Sequence, residues 1–434
     1  VSGFHYRNGI LYAENVPLTE IAARVGTPTY IYSAAMLERN YRAYEQAFGG
    51  QKMGIHFALK ANGNLAVVAL LGSFGAGADI VSLGELKRAL TAGIPPERIV
   101  FSGVGKTAEE LAAAVKIGIA QINVESEPEL EALSRIAQAA GRVQRIVLRI
   151  NPDVDAQTHE KISTGKKGDK FGIPYSDAVR VYAHASSLPG VEPVGLALHI
   201  GSQLIDLSPY KAAYRRVAEL VQDLRREGLS VTALDLGGGI GITYKDEKPP
   251  SLDAYANIVF DTVGNLGCSL AIEPGRSIVA SAGVLLSRVI YRKNAGANDI
   301  LILDAGMNDL MRPSMYGAYH PIHAVREPAP GTAMTTVDVV GPVCETGDTF
   351  ARGRVLPPLD TDDLVAFGAA GAYCSSMSST YNARPLAAEV LVHGDSYDVV
   401  RARQSIEAMF AGEHMPDWVT GSGPMAATAE RKRA

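Results

Sequence analysis

One lysine and one glutamate stand where strands end. His56-Phe57-Ala58-Leu59-Lys60-Ala61-Asn62 is an apolar run closed by an amine, and the break Asn62-Gly63-Asn64 follows it. That pattern predicts a buried strand with a cation at its C-terminal end. Such a lysine is either a solvated charge closing the strand, or a desolvated amine tuned toward neutrality that forms a Schiff base with a carbonyl compound. Further along, Leu270 to Glu273 is an apolar run closed by a carboxylate, with Pro274-Gly275-Arg276 after it. Glu273 is then either neutralised by Arg276 or held as partner to a heterocyclic nitrogen. A carboxylate keeps such a nitrogen protonated and makes the ring an electron sink.

Other strand ends carry the remaining parts of such a site. His199-Ile200-Gly201-Ser202-Gln203 offers an imidazole and a hydroxyl, and Gly237-Gly238-Gly239 offers backbone N–H groups at close approach. Glycine loops of this kind admit a phosphate, although three glycines alone also make a tight turn. They are no dinucleotide fingerprint, because no first βαβ unit precedes them. Asp79 closes another apolar run and could hydrogen-bond Lys60 or orient His199. Amine, acid, imidazole and phosphate cradle together are what a pyridoxal phosphate site requires.

The elements that must position these residues are readable. Strand patterns at Gly54 to Lys60, Gly77 to Val81, Ile99 to Ser102, Gln121 to Val124, Ile146 to Ile150, Gly195 to Ile200, Ala233 to Leu236 and Leu270 to Glu273 alternate with helical ones such as Ala108 to Ile117 and Tyr210 to Arg226. Eight such alternations predict an α/β fold, a TIM-type (β/α)8 barrel, with chemistry gathered at the strands' C-terminal ends. Ser33 is a predicted N-cap for a helix reaching about Phe48. From about Ile278 the texture changes to short strands: Val284 to Tyr291, Ile300 to Leu303, Val337 to Val340, Leu364 to Phe367, Ala387 to Val392 and Tyr397 to Arg401. We expect a barrel over residues 33–277 and a β-sandwich-like or barrel-like all-β domain over 278–434, joined by the N-terminal strands of 1–32. Asp155 to Phe171 is expected to be a mobile loop over the site mouth, and the end of the tail after Phe410 to be disordered.

Composition excludes several classes. The chain has 434 residues, 47% hydrophobic and 20% charged, long enough for two cores. A net charge of -5 gives no nucleic-acid footprint. Cys268, Cys344 and Cys374 are too few and too scattered for a disulfide framework or a metal site, which points to a reducing compartment. No apolar stretch approaches membrane-spanning length and the N-terminus lacks a basic-then-apolar leader, so the expected location is cytoplasmic.

Phe57-Ala58-Leu59-Lys60-Ala61-Asn62, His199-Ile200-Gly201-Ser202-Gln203, Gly237-Gly238-Gly239, Glu273-Pro274-Gly275-Arg276 and Gly341-Pro342-Val343-Cys344-Glu345 occur in the order, and over nearly the whole length, in which they occur in fold-type III PLP-dependent decarboxylases. The chain resembles that family, and within it the branch acting on diaminopimelate. The resemblance implies that Lys60 holds the cofactor as a Schiff base, Glu273 pairs with its ring nitrogen, and Gly239, Gly275, Arg276 and Ser202 surround its phosphate; His199, read from its place at a strand end, is either a satisfied structural histidine or a flat face stacked on the cofactor ring. The resemblance further implies that Tyr373 touches the cofactor, and that Cys344 donates a proton to the substrate from a partner subunit. The active unit would then be a homodimer with shared sites.

Cys344 also suits that role chemically. A thiol with a pKa near 8.5 is mostly protonated at neutral pH and can act as a general acid. Taken alone, each cysteine is as readily a small buried hydrophobe, the reading kept for Cys268 and Cys374. The segment Asp304 to Tyr316 contains Arg312 and Tyr316. By the resemblance, these with Arg276 grip the substrate's far carboxylate, Glu345 its far ammonium, and Tyr373 is a further substrate-binding residue. A carboxylate suits an arginine's two-pronged grip, whereas ornithine would leave it unpaired. One departure is Thr346 where relatives often carry serine; the hydroxyl is retained. The expected reaction is decarboxylation of meso-diaminopimelate to L-lysine and carbon dioxide. The alternatives are a related substrate (carboxynorspermidine, arginine or ornithine) and a non-catalytic binding homologue.

Overall fold

The computed structural model describes residues 3–49, 53–155, 165, 170–294, 296 and 299–420. Most of the Asp155 to Phe171 loop and the last fourteen residues of the tail lie outside the described residues, so the expectations for them are left there.

Eight parallel strands close a barrel. They are Met53–Ala58, Gly77–Ile80, Ile99–Phe101, Gln121–Val124, Gln144–Asn151, Val191–Ala197, Ala233–Asp235 and Ser269–Ile272. Each pairs with the next in sequence, and the eighth returns to the first through Leu270 and Met53. Apolar runs such as Ile146-Val147-Leu148 become strands buried on both faces, because helices cover the outside and side chains fill the inside. A two-residue strand, Ile173–Pro174, pairs beside the fifth strand.

The helices show why their sequences wrap the sheet. Ser208–Arg226 buries Tyr210, Ala213, Tyr214, Val217, Leu220, Val221 and Leu224, a stripe at three- and four-residue spacing, while its charged residues face out. Ala108–Ile117 is stopped at both ends: a reciprocal capping box joins Thr107 and Glu110, and Gly118 takes the left-handed conformation. Ser33 caps Ala34–Ala47 by accepting the Met36 N–H, as its sequence predicts.

A second sheet is built around Gly283–Asn294. That strand pairs with Thr29–Ser33, with Asp299–Leu303 and with Leu364–Phe367. Thr29–Ser33 is fully buried and also pairs in parallel with Ala388–His393, so the N-terminal segment is central to this sheet. The earliest strands pack into this domain, with Leu11, Ala13 and Val16 in one core cluster with Ile31, Val284 and Val390. Phe4–Arg7, Ile10–Ala13 and Val16–Pro17 form a separate three-stranded meander, tied to the larger sheet by Leu11 N–H donating to Val325 at 2.8 Å.

The two cores meet beside Lys60. Tyr373 N–H donates to the Ala61 carbonyl at 2.8 Å, and Ser376 Oγ donates to the Lys60 carbonyl at 3.0 Å. Buried Glu389 accepts from Tyr32, Asn64 and Ser375 and pairs with Arg401. It thereby ties the barrel's first loop to the second sheet.

Candidate active site

A cavity of about 710 Å³ opens at the C-terminal ends of the barrel strands. Lys60, His199, Ser202, Glu273, Arg276, Arg312, Tyr316 and Tyr373 all line it. Residues separated by more than 300 positions converge because each follows a strand or turn at the same end of the barrel.

Lys60 sits in the short turn Leu59–Ala61 that follows the first strand. Its Nζ is 3.1 Å from Asp79 Oδ2, and Asp79 is fully buried. Asp79 therefore binds the lysine, the first of its two expected roles. Burial pulls the pKa of the amine down, but Asp79, with Tyr373 and Glu273, outweighs burial and raises it above the ordinary lysine value. Asp79 Oδ1 is buried without a hydrogen-bond partner.

Glu273 lies across the pocket, 8% exposed. It accepts from Ser102 Oγ at 3.2 Å and Asn123 Nδ2 at 3.3 Å. Asn123 also donates to Asp235 at 3.3 Å, so one amide bridges two carboxyls. Burial, then Asp235 and Asp79, push Glu273 well above the usual carboxylate range. Arg276 does not neutralise it: Nη1 of Arg276 donates to Tyr244 Oη at 2.7 Å, and Nη2 to Ser202 Oγ at 3.0 Å.

His199 accepts the Gly238 N–H at its Nδ1, 3.1 Å away. Burial first, then Lys60 and Arg149, hold its pKa well below the usual histidine value, so the ring is neutral. Gly239 has φ +109°, and a Cβ there would lie 2.3 Å from the Gly201 carbonyl oxygen. The loop's close approach thus depends on that glycine. Gly275 is buried at the head of the turn carrying Arg276 and leaves room for Ala58, Ala61 and the Tyr373 hydroxyl.

Arg312 is 7% exposed, not a surface charge. Its Nη1 is 2.9 Å from His320 Nε2, and its guanidinium lies 4.6 Å from the Tyr244 ring centre. Arg276 lies 4.7 Å from the Tyr373 ring centre. Tyr244, His320, Ser102, Asn123 and Arg149 belong to this machinery but escape the sequence reading. Arg149 interrupts an apolar strand run, which is a visible signal; it pairs with buried Glu125 at 2.8 Å. Tyr244 and His320 have no local signal at all.

Cys344 and Glu345 are not brought to this cavity. Both are exposed, on a turn held by buried Asp348, which accepts the Val343 and Met307 N–H groups. The Cys344 N–H donates to Asn382 Oδ1 at 2.8 Å.

The residues fit pyridoxal phosphate. The carboxyl of Glu273, the amine of Lys60 and the imidazole of His199 line one cavity, and a glycine cradle with Ser202 and Arg276 is suited to the phosphate. Comparison with known proteins agrees. The model for the pyridoxal binding domain of pyridoxal-dependent decarboxylases matches residues 34–280. Diaminopimelate decarboxylase of Zymomonas mobilis is 48% identical over 96% of this chain and 99% of its own length. That of Pseudomonas aeruginosa is also 48% identical, over 95% and 99%. A crystal structure of the Helicobacter pylori diaminopimelate decarboxylase complexed with L-lysine is 42% identical, covers 91% of this chain and 98% of that one, and superposes with a TM-score of 0.87. The chain belongs to the pyridoxal-dependent decarboxylases, in the group of the diaminopimelate decarboxylases.

Proposed function

We infer that this chain decarboxylates meso-diaminopimelate to L-lysine and carbon dioxide. The observation that carries the substrate assignment is the pair of buried arginines, Arg276 and Arg312, in the cavity that also holds Lys60 and Glu273. A substrate reacting at the lysine end must bring an anion to the other end, and a diamine substrate has none.

Pyridoxal phosphate, when bound, supplies a sink for the electron pair released as the carboxylate leaves. Lys60 holds the cofactor, and Asp79 fixes the position and charge of its amine. Glu273 would hold a proton at the ring nitrogen, and His199 would offer the ring a flat surface. Gly239, Gly275, Ser202 and Arg276 hold the phosphate. Arg312 and Tyr316, with Arg276 and Tyr373, orient the substrate by its far carboxylate.

Cys344 and Glu345 act on the cavity of a second copy. Cys344 Sγ gives the proton that replaces the lost carboxylate, and Glu345 binds the far ammonium. Their exposure and absence from their own cavity support a homodimer with shared sites. We divide the chain into a barrel domain at 33–277 and a sheet domain made of 1–32 and 278–434. We place the enzyme in the cytoplasm, a reading supported by three unpaired cysteines. Among the described residues no helix is long and apolar enough to cross a membrane.

The test is steady-state turnover of the cofactor-loaded protein on meso-diaminopimelate, ornithine, arginine and carboxynorspermidine, with lysine and carbon dioxide measured. Lysine formation with preference for diaminopimelate is expected. Preference for ornithine would refute the substrate, and absence of turnover on all four would favour a binding homologue.

A further inference from the structure

The arginine that reaches for the far carboxylate has its own support. Arg312 begins the five-residue helix Arg312–Tyr316. His320, 2% exposed, meets it 2.9 Å away through Nε2. The other ring nitrogen, Nδ1, is 2.9 Å from the Gly368 carbonyl oxygen. A carbonyl only accepts, so Nδ1 carries the proton and Nε2 carries the lone pair that receives the Arg312 N–H.

The Gly368 carbonyl is itself fixed. Gly368 N–H donates to Pro321 at 2.8 Å, and Ile322 pairs with Phe367 in the adjoining antiparallel strands. The backbone of His320 is held as well, because Arg354 Nη1 donates to its carbonyl at 3.1 Å. A rigid chain of bonds thus runs from the second sheet through one imidazole to the guanidinium in the cavity.

We propose that His320 is a positioning residue that aims Arg312 and so sets selectivity for ligands bearing a far carboxylate. The proposal rests on the substrate reading above. Arg312 lines the cavity and His320 does not; the guanidinium also lies against the Tyr244 ring at 4.6 Å and hydrogen-bonds the Cys374 side chain, so His320 acts on the ligand only through Arg312. Its surroundings keep it an acceptor. Burial first, then Arg312, Arg276 and Arg354, hold its pKa down at about 3, and Tyr244 stands edge-on to it at 5.3 Å.

Two substitutions separate aim from folding. His320→Asn retains a donor at the Nδ1 position for Gly368 and loses the acceptor for Arg312. His320→Gln places an acceptor where Nε2 stands. Calorimetric binding of L-lysine and of 1,5-diaminopentane to the cofactor-loaded protein reads the effect, since only lysine carries the carboxylate that Arg312 would grip. His320→Asn should weaken lysine by about tenfold, as expected for one hydrogen bond to a charged group, and leave the diamine unchanged. His320→Gln should restore lysine. With diaminopimelate as substrate, KM should rise in the Asn variant more than kcat falls. Equal weakening of both ligands, or no recovery with His320→Gln in a protein of native circular dichroism, would overturn the proposal. The lysine-to-diamine ratio is read without turnover, so failure of the substrate assignment in the rate assay is distinguishable from failure here.

Discussion

Lys106 shows how the cavity's floor is held, and the cost of removing it can be worked out. Its side chain is 1% exposed, and Nζ donates at 2.7 Å to each of three acceptors: the Gly103 carbonyl, the Asn123 carbonyl and Glu129 Oε1. Glu129 also accepts the Glu125 N–H at 3.2 Å, and Glu125 accepts from Gly103 N–H and Arg149, both cavity-lining residues, at 2.8 Å. Lys106→Met keeps the volume and removes the charge. Breaking one side of a buried ion pair costs about 3–5 kcal/mol. Glu129 limits that loss by taking up a proton, because burial already pushes its pKa up even against Lys106. Holding a carboxyl protonated at pH 7, against an unfolded pKa of about 4.3, costs about 3.7 kcal/mol at about 1.4 kcal/mol per pH unit.

We therefore expect the variant to lose about 4 kcal/mol at pH 7. The sign of the pH dependence follows from the raised acid. Between pH 5 and 7 the folded variant keeps a proton that the unfolded chain releases, so its stability falls as pH rises, by about 1.4 kcal/mol per unit. Urea midpoints of wild type and variant at pH 5, 6 and 7, converted through a shared m-value, measure this. Adding Glu129→Gln should flatten the slope. A loss below about 1 kcal/mol at pH 7, or parallel pH profiles for wild type and Lys106→Met, would refute the reasoning.

Other consequences are simpler to test. Gly239→Ala places a methyl 2.3 Å from the Gly201 carbonyl at φ +109°, so cofactor affinity measured by fluorescence quenching should fall by about tenfold or more; unchanged affinity would remove the loop from the phosphate site. Lys60→Ala and Cys344→Ala should each abolish turnover. Co-refolded in equal amounts, they should recover about a quarter of wild-type activity, because half the dimers then hold one intact site. No recovery would place Cys344 outside a shared site.

The barrel is legible in the sequence because strands buried on both faces are apolar runs, each ended by a polar residue or glycine. Lys60 and Glu273 stand out by that punctuation, whereas Gly239 is singled out of its triple glycine by the family resemblance. Two strands of the second sheet escape it. Ile322–Ala324 is three residues long inside a proline- and histidine-containing stretch, and Thr349–Leu356 carries Arg352, Gly353 and Arg354 at a solvated edge. The supporting cast is less visible. Tyr244 and His320 sit in irregular loops where neither period nor motif marks them, and their roles arise from tertiary neighbours. The charge state of Lys60 is likewise unreadable locally, because Asp79, Tyr373 and Glu273 reach it from three separate elements.

The central claim is that one amine holds the cofactor opposite one acid. Borohydride treatment of the protein loaded with pyridoxal phosphate, followed by proteolysis and mass spectrometry, tests it most directly. The expected result is a reduced pyridoxyl phosphate adduct on the peptide containing Lys60, absent from Lys60→Ala. An adduct on any other lysine, or an unmodified Lys60 peptide from protein that is active and loaded, would contradict the account.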